Sequence, residues 1–184
     1  MDVMPFDELN KFEDGLSIHF EDGKIRSKQD AEDIIDEMFD LFLLSVATGQ
    51  ESANADLGVS VGLDSDTAVG IVETPVAGKT FRERVMEYFE NGGDEYDIRR
   101  IAETEVHRAA NEAAFETAKK AGAKTKTWET MMDDEVREDH TWLQGVTTPI
   151  DGYFYGPNGE RTLYPGQWGV AEQDVNCRCF LTFS

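Results

Sequence analysis

The sequence predicts an α+β fold, with an N-terminal helical arm and a long central helix before a small C-terminal antiparallel β-sheet. Apolar residues recur at helical spacing up to residue 121, and period-two alternation begins at Lys124. Asp-Gly and Asn-Gly pairs interrupt short β-like runs, as hairpin turns do. Helices followed by strands in one chain are typical of α+β folds. We expect an acidic helical arm with a flexible loop over residues 1–77, and an α+β domain over residues 78–184.

The arm contains the first strong helix signal. Ser27 and Asp30 resemble a helix N-cap, and Gly49 is expected to end the helix after Thr48. Apolar residues cover more than one face, so the helix should be buried on most sides, in this chain's core or against another chain. The core is favoured, and the alternative makes this helix a docking element. The residues concerned are Ile34, Ile35, Met38, Phe39 and Phe42.

The rest of the arm carries weaker patterns. A hairpin with an Asp-Gly turn is expected at residues 19–25. Residues 50–78 are small and polar, and we expect a mobile loop there, with a short helix over residues 53–57 and at most one strand. Gly78-Lys79-Thr80 is not a phosphate-binding loop, because the required glycine five residues earlier is Glu73.

Two helices follow. Thr80 is expected to cap a helix over residues 81–90, and a long helix should run from about Asp94 to Ala121 with Gly122 as its stop. Glu105 lies within the apolar stripe of this long helix. An unpaired buried carboxylate is costly, so Glu105 must find a cation, for which Arg137 or Arg100 is the candidate.

The sequence pattern of the C-terminal third predicts the small antiparallel sheet. Alternation over residues 125–130 suits a strand, residues 133–140 suit one or two helical turns, and residues 145–152 suit a loop. A hairpin is expected around Asn158-Gly159, and a final strand over residues 177–183.

The charge narrows the range of partners. The formal net charge is −21. Residues 1–98 hold 24 acidic and 7 basic side chains, which gives −17 and leaves −4 for the remainder. Such a chain repels phosphate backbones, so direct nucleic-acid binding is not expected, whereas a basic protein surface is a suitable partner. Solubility, or a salt-loving host, explains the same excess.

Composition sets further limits. A chain of 184 residues with 40% apolar residues can build a core without disulfide staples. No apolar run approaches the ~20 residues of a membrane span, and the N-terminus does not resemble a secretory signal. We therefore expect an intracellular protein without a membrane partner.

Several polar residues near the C-terminus form a candidate site. On one helix, Asp133, Arg137 and His140 would share a face, as in the acid/base site of a small hydrolase. The favoured alternative is a structural polar network that packs against Glu105 and the final strand. Its predicted members are Glu105, Asp133, Arg137, His140, Asn176 and Arg178.

A metal site is the third possibility for the same region. His140, Cys177 and Cys179 have the softness that zinc prefers, with Asp133, Asp139 or His107 as a fourth ligand. Cys-x-Cys is not the usual Cys-x-x-Cys knuckle, and the two cysteines could equally pack as small buried groups. No cofactor is expected, with a structural zinc as the alternative.

An ordered set of motifs resembles the phage Mu F-like minor head protein family. The resemblance runs from about Gly78 to Phe183. The motifs are Arg100-Ile101-Ala102-x-Thr104-Glu105, Trp128 through Asp133-Asp134-x-Val136-Arg137-x-x-His140, Gly145, Asp151-Gly152-x-Phe154, Tyr164-Pro165-Gly166 and Asn176-Cys177-Arg178-Cys179.

The resemblance implies a minor capsid protein of a tailed phage, made in the host cytoplasm and carried in the virion. It implies few copies at the portal vertex, partners among the portal and major capsid proteins, and a role in head assembly or DNA packaging and ejection. It establishes no enzymatic activity, and a non-enzymatic protein is favoured. The alternative is a small metal- or acid/base-dependent hydrolase acting during packaging or ejection. A toxin-like effector is disfavoured, because the chain ends directly after the Cys-Arg-Cys strand.

Overall fold

The computed structural model describes residues 4–76, 78–134 and 136–184, and it confirms the α+β class. The helices are α1 (Phe6–Gly15), α2 (Lys28–Leu57), α3 (Ser65–Val72), α4 (Phe81–Asn91), α5 (Glu95–Ala121), α6 (Glu138–Thr141) and α7 (Ala171–Asp174). The strands are β1 (Phe20–Glu21), β2 (Lys24–Ile25), β3 (Thr125–Thr130), β4 (Thr147–Pro149), β5 (Phe154–Tyr155), β6 (Arg161–Thr162) and β7 (Cys179–Phe183).

The central helix α5 has the predicted ends. Asp94 caps its N-terminus by accepting a hydrogen bond from the backbone N–H of Asp97 at 3.1 Å. Gly122 closes it in the left-handed conformation, with φ of 84°. Between these ends the small, fully buried side chains of Ala102, Ala109 and Ala113 let neighbouring helices come close.

Helix α2 is longer than the sequence predicts, because Gly49 does not end it. The helix continues to Leu57, and Gly58 closes it with φ of 64°. A Cβ atom at position 49 would lie 2.0 Å from the backbone oxygen of Ala110 in α5. Gly49 is therefore the point of closest approach between two long helices, and its glycine signal reflects packing rather than a stop.

The loop expected over residues 50–78 is largely helical among the described residues, and Ala77 lies outside them. Its first part, including residues 53–57, belongs to α2, and α3 occupies the stretch where a loop or strand was expected. The connection between them is held by α2, since Asn54 Oδ1 accepts from Val61 N at 2.9 Å and Gln50 Oε1 accepts from Leu63 N at 2.8 Å. The prediction of a long loop was wrong, because the helices α2 and α3 occupy most of this stretch and the amide contacts that hold the connection between them have no local sequence signal.

The residues expected to dock a partner are covered by this chain. Ile34, Met38 and Phe42 are completely buried in a core shared by α1, α2, α4 and α5, and Ile35 is 6% exposed. Phe39 is half-buried and lies 5.0 Å from the guanidinium of Arg82. The apolar face of α2 therefore packs in the core of this chain, as the favoured alternative predicted, and is not an open docking surface.

The C-terminal sheet has the strand order β4-β3-β7, with antiparallel pairing throughout. β3 confirms the predicted central strand, and β4 lies where only a loop was expected. Trp128 on β3 pairs with Leu181 on β7 and joins Phe115 of α5 in a second apolar core. The sheet thus packs against the C-terminal half of α5, and the end of α2 reaches the same core through Ala53.

Both predicted hairpins are present. β1 and β2 join through Asp22-Gly23, whose φ values of 51° and 75° suit a tight hairpin turn. β5 and β6 pair around Asn158-Gly159. Among the described residues, no helix is both long and apolar enough to cross a membrane.

Candidate metal centre

The fold brings His140, Cys177 and Cys179 together in a buried group. His140 Nδ1 lies 3.5 Å from Cys177 Sγ and 3.4 Å from Cys179 Sγ. The exposed fraction is 1% for His140 and Cys177 and 0% for Cys179. Both cysteines are free thiols. We call these three residues the His-Cys-Cys group.

The members come from two distant parts of the chain. His140 lies on α6, which is shorter than the predicted turns: positions 133, 134, 136 and 137 are not helical, and position 135 lies outside the described residues. Cys177 precedes β7, and Cys179 is its first residue rather than the third as the sequence suggested. The group forms because β7 pairs with β3, which places Cys179 opposite Thr130.

Gln173 orients the imidazole, and the sequence carried no signal for this residue. Its Oε1 lies 2.7 Å from His140 Nε2, and the glutamine side chain is buried. An amide oxygen only accepts hydrogen bonds, so the ring proton belongs on Nε2 and the Nδ1 lone pair faces the two sulfurs. Histidines that bind metals are commonly held in this way by a hydrogen bond from their other nitrogen.

Tryptophan rings enclose the group. The indole of Trp168 stacks on the imidazole of His140, with 5.9 Å between ring centroids, and Trp128 meets the same imidazole edge-on at 5.7 Å. Asp174 holds the Trp168 loop by accepting from the backbone N–H groups of Trp168 at 2.8 Å and Gly169 at 2.7 Å. The His-Cys-Cys group is therefore buried and enclosed by aromatic rings.

Burial and mutual contact set the protonation of the group. The hydrogen bond with Cys179 and burial raise the pKa of Cys177 well above its usual value, so without a cation this thiol is neutral. Burial opposes the charged form of His140, but contacts with Cys177 and Gln173 outweigh it and raise its pKa. Binding a metal ion to this group would displace thiol protons.

The predicted polar network divides into separate contacts. Arg178 Nε and Nη2 donate to Asp133 Oδ2 at 2.8 and 2.5 Å, and Arg137 donates to the backbone oxygen of Val175. Asn176 N donates to Thr104 Oγ1 of α5 at 3.3 Å. These contacts fasten the segment that leads into β7 to α5 and to the segment after β3.

Glu105 has other cationic partners than the two arginines that the sequence suggested. Arg108 Nε donates to Glu105 Oε2 at 2.5 Å, and Arg84 donates to the other carboxylate oxygen. Arg100 instead contacts Asp97 and Tyr88. The separation of Glu105 and Arg108 by three positions on one helix was a readable signal, because such residues share a face.

The acid/base alternative does not match this geometry. Asp133, Arg137 and His140 do not share a helical face, and both ring nitrogens of the buried His140 are occupied. The other suggested zinc ligands also lie elsewhere. Asp133 pairs with Arg178, Asp139 is exposed, and His107 is buried against Phe6 with ring centroids 5.8 Å apart.

The C-terminal part of the molecule is a small α+β domain in which a long helix covers a three-stranded sheet beside a buried His-Cys-Cys group. Residues 75–182 match the family model described as "Phage Mu protein F like protein". This match covers more than half of the chain, so the chain belongs to the phage Mu protein F like family, and the resemblance found in the motifs is confirmed.

Two curated proteins are similar to this chain. One is the NAD(+)--arginine ADP-ribosyltransferase EFV of Enterococcus faecalis (strain ATCC 700802 / V583), 27% identical over 166 residues, which covers 72% of this chain and 34% of that protein. The other is the minor head protein GP7 of Bacillus phage SPP1, 34% identical over 88 residues, which covers 46% of this chain and 29% of that protein. The chain therefore spans about a third of the length of these relatives. No solved structure matches.

Proposed function

We propose that this protein acts in phage head assembly as a minor head component, present in few copies at the portal vertex. The observation that carries the proposal is the family match over residues 75–182. The minor head protein of phage SPP1 supports it, since its similarity to this chain extends over 88 residues. The proposed partner is the portal protein or the major capsid protein, and the proposed location is the virion.

The surface between α1 and α2 is the best docking surface for such a partner. A groove of about 460 Å³ lies there, lined by Met4, Phe6, Leu44 and Thr48 among others, and a second hollow of about 370 Å³ adjoins it. Leu44 lines both hollows and is 40% exposed. This groove borders the buried apolar face of α2, since the core residue Leu41 lines the smaller hollow.

Acidic side chains surround this groove. Glu8 lines both hollows, Glu51 lines the larger one, and Asp40 lines the smaller one. Lys11 is the basic side chain on the same rim, where it pairs with Glu8 at 3.6 Å. An apolar floor with an acidic rim suits a basic amphipathic segment, because opposite charges steer the encounter and apolar contacts hold it. We therefore propose that a basic segment of the portal or capsid protein occupies this groove.

Co-sedimentation with cognate portal and procapsids tests both parts of the proposal. The full chain should bind at a few copies per particle at low salt, with weaker binding as salt rises, since the Debye length falls from about 30 Å at 0.01 M to about 3 Å at 1 M. Absence of binding to portal and procapsids at every salt concentration would overturn the head-assembly role.

A matched pair of triple variants isolates the groove. Glu8→Gln/Asp40→Asn/Glu51→Gln removes three charges from the groove rim, and Glu138→Gln/Asp151→Asn/Glu172→Gln removes three from exposed positions in the C-terminal part. Only the first should weaken binding and reduce its salt dependence. Equal binding by both variants would refute the groove as the docking surface and leave the head-assembly role standing.

A further inference from the structure

We propose that His140, Cys177 and Cys179 bind one zinc ion, which holds the C-terminal strand to the segment between β3 and β4. This proposal does not depend on the role in head assembly. It rests on the convergence of His140 with two soft donors far from it in sequence: Cys177 and Cys179 lie 37 and 39 positions after His140. Their ligand atoms all lie within 4.8 Å of one another.

The distances suit zinc coordination. Bonds of about 2.0–2.1 Å to nitrogen and about 2.3 Å to sulfur, at a tetrahedral angle, place the nitrogen and a sulfur about 3.6 Å apart. The two distances from His140 Nδ1 to sulfur are 3.5 and 3.4 Å. A hydrogen bond from one thiol to Nδ1 gives a similar distance, with the other thiol hydrogen-bonded to the first sulfur, so the distances fit both a thiol network and a bound cation. A cation between the three atoms satisfies both sulfurs.

The orientation of His140 is a second, independent observation. Gln173 accepts from Nε2, which leaves the unprotonated Nδ1 pointing at the sulfurs, and Trp168 stacks on the ring and restrains its rotation. The ligand is therefore held in the protonation form and direction that a metal ion requires.

Among the described residues, no fourth His, Cys, Asp or Glu ligand atom lies within the same distance of this group. Zinc is usually four-coordinate, so the fourth ligand is assigned to a water molecule. Thiolate-rich sites with fewer ligands also select copper(I), and identification of the metal must separate the two ions.

A structural role follows from the elements involved. α6 and α7 contain four residues each, too few to be stable as isolated helices. His140 comes from the first, and its orienting residue Gln173 comes from the second. A metal ion bound to both cysteines would connect these short helices to the edge of β7, and its binding free energy would stabilise the fold.

The first experiment uses the full chain, purified without a metal-affinity tag or chelator. Elemental analysis should find one zinc per chain, and a strong chelator should lower the melting temperature, which added zinc should restore. Cobalt(II) added to the stripped protein should give a thiolate-to-cobalt charge-transfer band in the near ultraviolet, and this signal needs no variant that might misfold. One copper and no zinc would overturn the identity of the ion.

Variants assign the ligands. Cys179→Ser should lose the bound zinc and weaken the cobalt band, whereas His107→Gln, a change at a buried histidine outside the group, should keep both. Gln173→Leu keeps all three ligands and should weaken zinc binding about 10–100-fold, as loss of an orienting hydrogen bond does. Full zinc occupancy in Cys179→Ser would refute the assignment of that ligand.

Two results would overturn the site as a whole. The first is a protein without metal as purified, whose melting temperature does not change with chelator or zinc and which gives no cobalt band. The second is a Cys177–Cys179 disulfide in freshly purified protein, seen as a mass lower by two hydrogens and as thiols that resist alkylation after unfolding.

Discussion

Replacement of Arg108 by methionine should be one of the most destabilising single changes in this protein. The Arg108 side chain is 2% exposed and donates to Glu105 Oε2 at 2.5 Å, Glu112 Oε2 at 2.5 Å and the backbone oxygen of Ile71 at 2.8 Å. Methionine keeps most of the aliphatic volume but removes the charge and every donor. Two carboxylates and the carbonyls of Ile71 and Val72 then lose a partner, although Glu105 retains Arg84.

The expected loss in the free energy of unfolding follows from leaving a buried charge without its partner. Removal of one partner of a buried ion pair costs about 3–5 kcal/mol. For a domain of this size, each kcal/mol lowers the melting temperature by roughly 2–4 °C, so a fall of about 6–20 °C is expected. Thermal and urea unfolding followed by circular dichroism measure both quantities.

The control is Lys28→Met, which breaks an exposed pair with Glu32 whose side chains are 69% and 48% exposed. That change should cost no more than about 1 kcal/mol. Glu105→Gln combined with Arg108→Met should cost less than the sum of the two single changes, because the glutamine removes one of the buried charges that lose Arg108 as a partner. If Arg108→Met were no more harmful than Lys28→Met, the burial cost assigned to this ion group would be wrong.

Two further predictions concern helix packing and acid stability. Gly49→Ala should destabilise the fold by about 1–3 kcal/mol, because its Cβ would lie 2.0 Å from Ala110 O. The control is Gly70→Ala in α3, where a Cβ meets nothing within 4 Å, and this change should stabilise the fold by about 0.5–1 kcal/mol. Equal shifts in melting temperature would contradict this close-approach explanation. Burial, with a smaller effect of Arg178, lowers the pKa of His107 from 6.5 to about 4. Between these pH values the unfolded chain binds more protons than the folded chain, so stability should fall as the pH drops from about 6.5 to 4. His107→Phe should flatten that part of the stability–pH curve, and an unchanged slope would contradict the assignment to His107.

Much of the secondary structure could be predicted from the sequence, because local interactions determine it. Ser27, Thr80 and Asp94 each accept a hydrogen bond from a backbone N–H three residues later, and this geometry is independent of the rest of the chain. Asp-Gly and Asn-Gly turns and period-two alternation are equally local, so both hairpins and β3 were predicted. The motifs of residues 78–183 likewise indicated the family that the comparison confirmed.

Contacts between distant residues escaped prediction for the opposite reason. Gly49 has the sequence signature of a helix stop, but its neighbour Ala110 lies on another helix, and only helix packing distinguishes the two roles. The cation for Glu105 was sought at Arg137 or Arg100, whereas the approach of α4 to α5 supplies Arg84.

The composition of the candidate site was readable from the sequence, and its geometry was not. The softness of His140, Cys177 and Cys179 as ligands belongs to their side chains alone, so they could be proposed as a group. Their meeting at 3.4–3.5 Å requires the antiparallel register that sets Cys179 opposite Thr130, and the orientation of His140 requires Gln173, 33 positions away. Local propensities act over about four residues, whereas a ligand geometry that spans such separations is decided by tertiary packing.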